Sequence, residues 1–185
     1  MDRQLVVRAQ GGDHAAFAAL AAASIGQLTA IARLTLHDDP QAQDAVQEAL
    51  VGAWRNIRGL RDPDRFDAWL YRLLLRACLD QARQERRHRV VEIPLPELSG
   101  PSVAAADRDL VVHDELERGL RGLPREQRAV IVLVFYVDLP LAEVAQILDC
   151  PLGTVKSRLN RALAALRARL EADAREPSQP TERYA

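Results

Sequence analysis

Apolar positions recur along this chain with a helical period and almost never alternate as strands do. Residues 2–9 predict a short first helix, which Gly11-Gly12 interrupts. Asp13 can cap a second helix over 14–36, with Phe17, Leu20, Ile25, Leu28 and Ile31 as its apolar positions. Asp38-Asp39-Pro40 ends that helix and starts a third over 41–57, which puts Ala42, Ala45, Val46, Ala49, Leu50 and Ala53 on one side. Asp62-Pro63 announces a fourth over 64–87, striped by Phe66, Trp69, Leu70, Leu73, Leu74 and Ala77. These four helices can bury one another's stripes, so residues 1–89 form an N-terminal helical domain.

The pattern breaks at 90–106, where three prolines, a glycine and two serines predict a flexible linker. Helical spacing resumes over 107–170, with helices expected near 109–121, 125–137, 141–148 and 152–170. Residues 171–185 predict a mobile tail. The expected fold class is all-α: two small helical domains joined by a flexible linker, the second ending in a helix-turn-helix.

That final pair lies in Leu139–Leu170. Ala145 and Val155, ten residues apart, suit a close helix crossing. Asp149 stands where the turn requires a left-handed backbone, and Pro151 suits the first turn of a new helix. Val155, Leu159, Ala162, Leu163 and Leu166 are expected to face inward. Lys156, Ser157, Arg158, Asn160 and Arg161 then face outward, where they can reach base edges and phosphates from a major groove. Thr154, near the helix start, can bond a phosphate together with backbone amides. A buried helix pair with a solvated charged face gives the same pattern.

Charge changes the picture. The 185 residues sum to only −1, a poor balance for a polyanion binder. Residues 65–89, however, hold seven Arg against three acids, and 152–169 hold one Lys and four Arg with no acid. Two basic islands in an acidic background fit two contacts with nucleic acid and leave acidic surface for a protein partner. On the fourth helix, Arg72, Arg76, Arg83 and Arg87 fall in one row, with Arg61 in the loop before it. On the third, Asp44, Gln47, Glu48 and Arg55 lie outside the apolar side.

Candidate chemistry is sparse. Cys78 and Cys150 sit within amphipathic patterns and are expected as small buried side chains. The four His are scattered without metal-ligand spacing, and no phosphate loop or nucleophile motif occurs; neither an enzyme nor a cofactor is expected. No apolar run approaches the length of a membrane span and no signal-peptide core is present, so a cytoplasmic protein without membrane insertion is expected.

Several motifs, in order, resemble the extracytoplasmic-function (ECF) sigma factors of bacterial RNA polymerase. They are Asp44-Ala45-Val46-Gln47-Glu48 with Trp54-Arg55; Phe66, Trp69-Leu70-Tyr71-Arg72, Asp80 and Arg83; Leu123-Pro124-Arg125-Glu126-Gln127-Arg128; and Gly153-Thr154-Val155-Lys156-Ser157-Arg158-Leu159. The resemblance covers roughly residues 12–170. It implies a subunit that binds core RNA polymerase through Asp44, Gln47, Glu48 and Arg55. Promoter DNA would be recognised at the minus-ten element by Arg61, Arg72, Arg76, Arg83 and Arg87. Thr154, Lys156, Ser157, Arg158, Asn160 and Arg161 would recognise the minus-thirty-five element. The loop 58–64 corresponds to one that holds a flipped base, and the acidic linker to one that threads toward the RNA exit path. An anti-sigma factor is an implied partner. Arg76 departs from the family's usual Asn: it adds charge to the row but cannot repeat an amide's paired donor and acceptor. A stand-alone helix-turn-helix regulator would explain 107–170 alone, and a helical adaptor of polymerase would need neither basic island.

Overall fold

The computed structural model describes residues 2–89 and 119–173, with the helix but not the side chains described at 81–89, 170, 172 and 173. The expected linker and most of the helix expected near 109–121 lie outside the described residues. Among those described, all regular structure is helical: α1 (Arg3–Gln10), α2 (His14–Leu36), α3 (Asp39–Asn56), 3-10 turns at Ile57–Gly59 and Pro63–Arg65, α4 (Phe66–Arg89), α5 (Arg125–Ile131) running into a π-helical stretch (Val132–Tyr136), α6 (Leu141–Ile147) and α7 (Leu152–Asp173). The last helix thus extends three residues into the segment expected as tail.

Aspartates set the helix starts. Asp2, Asp13 and Asp38 each accept a hydrogen bond from a first-turn amide, at Gln4, Ala16 and Gln41. Each such cap is worth about 1 kcal/mol. α2 ends at His37, whose left-handed backbone (φ 55°) turns the chain while its N–H bonds the Arg33 carbonyl.

Ala42, Ala45, Ala49 and Ala53 are buried along α3. Their small side chains let the larger Leu20, Leu28 and Ile31 of α2, and Phe66, Leu70 and Leu74 of α4, fill the space between the helices. Trp54 closes one end, its ring 4.5 Å from that of His14 and 5.0 Å from that of Phe17. Ile25, expected inside, is 49% exposed. α2 has 23 residues and is long and apolar enough to cross a membrane, which the expectation from run length overlooked. In the bundle, α1, α3, α4 and α5 pack against it.

α4 carries a second buried stripe. Tyr71, Leu75 and Cys78 are buried alongside Leu70 and Leu74. The second stripe faces the C-terminal helices, so one hydrophobic core runs from Val6 through Leu75 to Val130, Leu133, Val144, Ile147 and Val155. A smaller cluster joins Leu120, Leu123, Ile131 and Ala162. The chain that the sequence divides into two helical units is packed here as one body.

The helix expected over 125–137 changes its hydrogen bonding after Ile131. The Val137 amide reaches back five residues to the Val132 carbonyl (3.1 Å). The wider turn keeps Val132 and Leu133 buried and turns Phe135 and Tyr136 outward, 62% and 51% exposed.

Candidate nucleic-acid interface

The helix-turn-helix is built by α6 and α7. Val144, Ile147, Val155 and Ala162 are buried where the two helices meet the rest of the fold. Between them the chain closes through Leu148 N–H to the Val144 carbonyl and Cys150 N–H to the Ala145 carbonyl. Asp149 has φ 49°, the left-handed conformation expected of it. The Pro151 carbonyl then accepts from the Thr154 and Val155 amides, opening α7.

Along α7, Lys156, Asn160 and Arg161 are exposed, whereas Thr154, Ser157 and Arg158 are half-buried. The Ser157 hydroxyl donates to the Thr154 carbonyl (2.9 Å), leaving its lone pairs to accept from a ligand. Arg158 folds toward the turn, with Nη1 3.8 Å from Cys150 Sγ. Cys150, expected to be buried, is half-exposed there, and Leu163, expected to face inward, is 37% exposed.

The second basic island is arranged differently from the open row that helical spacing suggests. Arg61 and Arg76 are exposed. Arg72 is half-buried, and its Nε is buried without a hydrogen-bond partner. Arg83 and Arg87 lie on α4 with side chains outside those described. Before α4, the loop carrying Leu60, Arg61 and Asp62 borders a cavity of about 380 Å³. Trp69, placed in the core by its position on the apolar stripe, is instead half-buried and lines this cavity. Glu143, Gln146 and Ile147 of α6 form the opposite wall, and Arg65 Nη1 donates to Gln146 Oε1 (3.1 Å) across it. A cavity of about 220 Å³ is lined by Arg72 and Arg76 on one side and by Ile147, at the end of α6, with Leu148 and Asp149 of the turn on the other. The helix-turn-helix therefore meets α4 through its first helix, with α6 against the face of α4 that bears Arg72 and Arg76 and none of Thr154–Arg161 lining either cavity. Arg65 and Gln146 were not among the expected site residues; their polar pairing across 81 positions leaves no local pattern.

On α3, Asp44, Gln47, Glu48 and Arg55 are all exposed. The neighbouring Gln41 accepts from Arg125 (3.2 Å), which ties α3 to α5. Beside this seam, burial and the nearby Arg128 and Arg121 push the His37 imidazole down to a pKa of about 4. Burial, with Arg125 adjacent, lowers the Arg128 guanidinium to about 10, while its Nη2 donates to the Leu123 carbonyl. On α4, burial raises the Tyr71 phenol to about 12, with Asp67 and Tyr136 adding to the shift. Burial likewise pushes the Cys78 thiol up to about 12. Among the described residues, no three His, Cys, Asp or Glu side chains gather as a metal site requires.

Residues 20–88 match the family model for sigma-70 region 2, and residues 119–168 match that for sigma-70 region 4. The ECF RNA polymerase sigma factor SigM of Mycobacterium tuberculosis (strain ATCC 25618 / H37Rv) is 36% identical over 167 residues, which span 89% of this chain and 82% of that protein. Among solved structures, CnrH in complex with the cytosolic domain of CnrY gives a TM-score of 0.67 at 31% identity, covering 93% of this chain and 98% of that one. The sigma factor RpoE from Bartonella quintana, solved with the anti-sigma factor NepR, gives a TM-score of 0.70 at 24% identity over 85% of this chain and 98% of that one, a likeness of fold.

Proposed function

The chain belongs to the ECF RNA polymerase sigma factors, and on that premise we propose how its residues divide the family's work of binding core polymerase, recognising promoter DNA and directing initiation. Members of the family are initiation factors, not enzymes, and this one acts in the cytoplasm alongside the polymerase. Residues 1–89 form the unit that binds polymerase and the minus-ten element, 90–106 the linker, and 107–170 the unit that binds the minus-thirty-five element.

α3 presents Asp44, Gln47, Glu48 and Arg55 to the polymerase, where carboxylates meet arginines through charge-assisted hydrogen bonds. α7 enters the major groove: Lys156 and Arg161 hold phosphates, and Arg158, Ser157 and Asn160 read base edges. Thr154 bonds a phosphate at the helix start. Arg61, Arg72, Arg76, Arg83 and Arg87 hold the backbone of the minus-ten strand, and the cavity beside Leu60, Arg61 and Trp69 receives an unstacked base. An anti-sigma factor completes the partner set, as the anti-sigma factor NepR is solved on the sigma factor RpoE of similar fold.

The observation that carries this reading is that one chain exposes both an acidic, hydrogen-bonding face on α3 and the basic Lys156 and Arg161, with the amide of Asn160 between them, on the second helix of a helix-turn-helix. Run-off transcription with core polymerase on a promoter library tests it. Initiation should require the chain. Asp44→Arg with Glu48→Arg should abolish initiation and core binding while minus-thirty-five duplex binding persists. Core binding that survives the double reversal removes α3 from the polymerase interface.

A further inference from the structure

α1 lies outside both stretches that match the sigma-70 regions, yet it is tied to the loop that borders the larger cavity. Gln10, at the last position of α1, sends its carboxamide across to that loop. Its Nε2 donates to the Ile57 carbonyl (3.1 Å) and to the Leu60 carbonyl (2.6 Å). Those carbonyls stand at the two ends of the same short turn, because the Leu60 amide itself bonds the Ile57 carbonyl. A single side chain thus clamps both ends of the 57–60 segment. Two further contacts follow the same line. Arg3 Nη1 pairs with Asp64 Oδ2 (3.1 Å), and Gly12, after α1, lies beside Arg58, whose Nη2 would stand 3.4 Å from a Cβ at that position. The ion pair is exposed at both ends and adds little; Gln10 is part-buried, so its bonds are less open to exchange with water.

We propose that Gln10 is a positioning residue for base recognition: it fixes the loop over 57–62 so that the wall of the cavity formed by Leu60, Arg61 and Trp69 keeps one shape whether α6 lies opposite it or has moved away. The proposal rests on the reading that this cavity receives an unstacked base. Taking a base from the stack already costs a few kcal/mol. A loop that also had to be ordered on binding would add to that cost, whereas a loop clamped beforehand adds nothing. Gln10 does not line the cavity; it acts through the loop carbonyls, so losing it should blur discrimination between bases and leave other contacts untouched.

The test uses holoenzyme assembled on core polymerase and single-stranded minus-ten oligonucleotides varied one position at a time, read by fluorescence anisotropy. Gln10→Met keeps the length of the side chain and removes its donors; Gln10→Lys restores donors. With Gln10→Met, the preference for the matched base at the position held by the loop should fall about three- to tenfold, as expected for the loss of one or two ordinary hydrogen bonds. Core assembly and minus-thirty-five duplex binding should not change, and Gln10→Lys should recover most of the preference. If Gln10→Met weakens every oligonucleotide and core assembly evenly, Gln10 serves folding alone and the proposal fails. Should that variant not fold, Gln10→Glu, which replaces the donor by an acceptor, takes its place with the same expected loss. Leu60→Ala combined with Arg61→Ala separates the two levels of the argument. If this pair abolishes the preference while Gln10→Met leaves it intact, the positioning role is overturned and the base site stands. If neither changes any base preference, the base site and the proposal fall together.

Discussion

His37, Asp138 and Asp149 hold left-handed backbones where helices or helical stretches end, at φ 55°, 58° and 49°. The conformation costs an ordinary L-residue about 1–2 kcal/mol, less for Asp, and nothing for glycine. Asp149→Val should therefore lower stability by about 1–2 kcal/mol in urea titration, while Asp149→Gly should not. Asp149 was legible in the sequence because turn length and Pro151 mark the bend. His37 was not, since nothing adjacent to it announces burial against Arg128. That burial gives it a pH signature. Its pKa is about 4 in the fold against 6.5 for a free imidazole, so between those values the unfolded chain binds a proton that the folded chain refuses. His37 thus costs no stability above pH 6.5 and destabilises the fold progressively as pH falls toward 4. Replacing it by Asn, which tolerates the left-handed backbone and does not titrate, should shrink the drop in Tm between pH 6.5 and 4. Equal drops in both proteins would show that His37 is not the group responsible. The outward row Lys156, Asn160 and Arg161 followed from helical period alone. The half-buried state of Ser157 and Arg158 did not, because it depends on a local carbonyl and on the Cys150 sulfur.

At the scale of helices, α4 departs furthest from its sequence reading. Tyr71, Leu75 and Cys78 follow i, i+4, i+7 spacing; burial of Cys78 was expected from its amphipathic setting and is observed, whereas Tyr71 and Leu75 were not part of the expected apolar stripe. Leu75 is essentially fully buried between the two sets of helices. Leu75→Ala should cost about 2–5 kcal/mol, seen as a lowered urea midpoint, because the removed methyl groups leave a cavity that packing on both sides resists filling. α7 tests recognition rather than packing. Arg158→Ala should weaken minus-thirty-five duplex binding by about 1–3 kcal/mol at fixed salt. Unchanged affinity in a folded variant would take Arg158 out of the interface. The π-helical stretch at Val132–Tyr136 had no sequence signal, since no local pattern encodes its packing against α2 and α6.

At the scale of the molecule, the break at 90–106 and the helical units on either side were readable from proline and glycine content and from helical period. How the units meet was not, because the contact joins Tyr71, Leu75 and Cys78 to Val130 and Ile147 across more than fifty residues, and no local pattern encodes such a pairing. Ile147 is buried in that contact. Ile147→Asp places a charge there, which burial opposes strongly. The variant should open the seam, seen as a larger radius of gyration in X-ray scattering with helical circular dichroism retained; an unchanged radius would show that the seam does not depend on Ile147. The position of α6 against Arg72 and Arg76 then carries a thermodynamic obligation. If, as proposed, the minus-ten strand runs along that face, it competes with α6 packed there, and the affinity of the free chain for minus-ten DNA becomes its intrinsic affinity scaled by the fraction of molecules in which α6 has moved away. Reciprocity follows: if holding the two units apart on polymerase raises promoter affinity by some factor, bound promoter must tighten the grip on polymerase by that same factor.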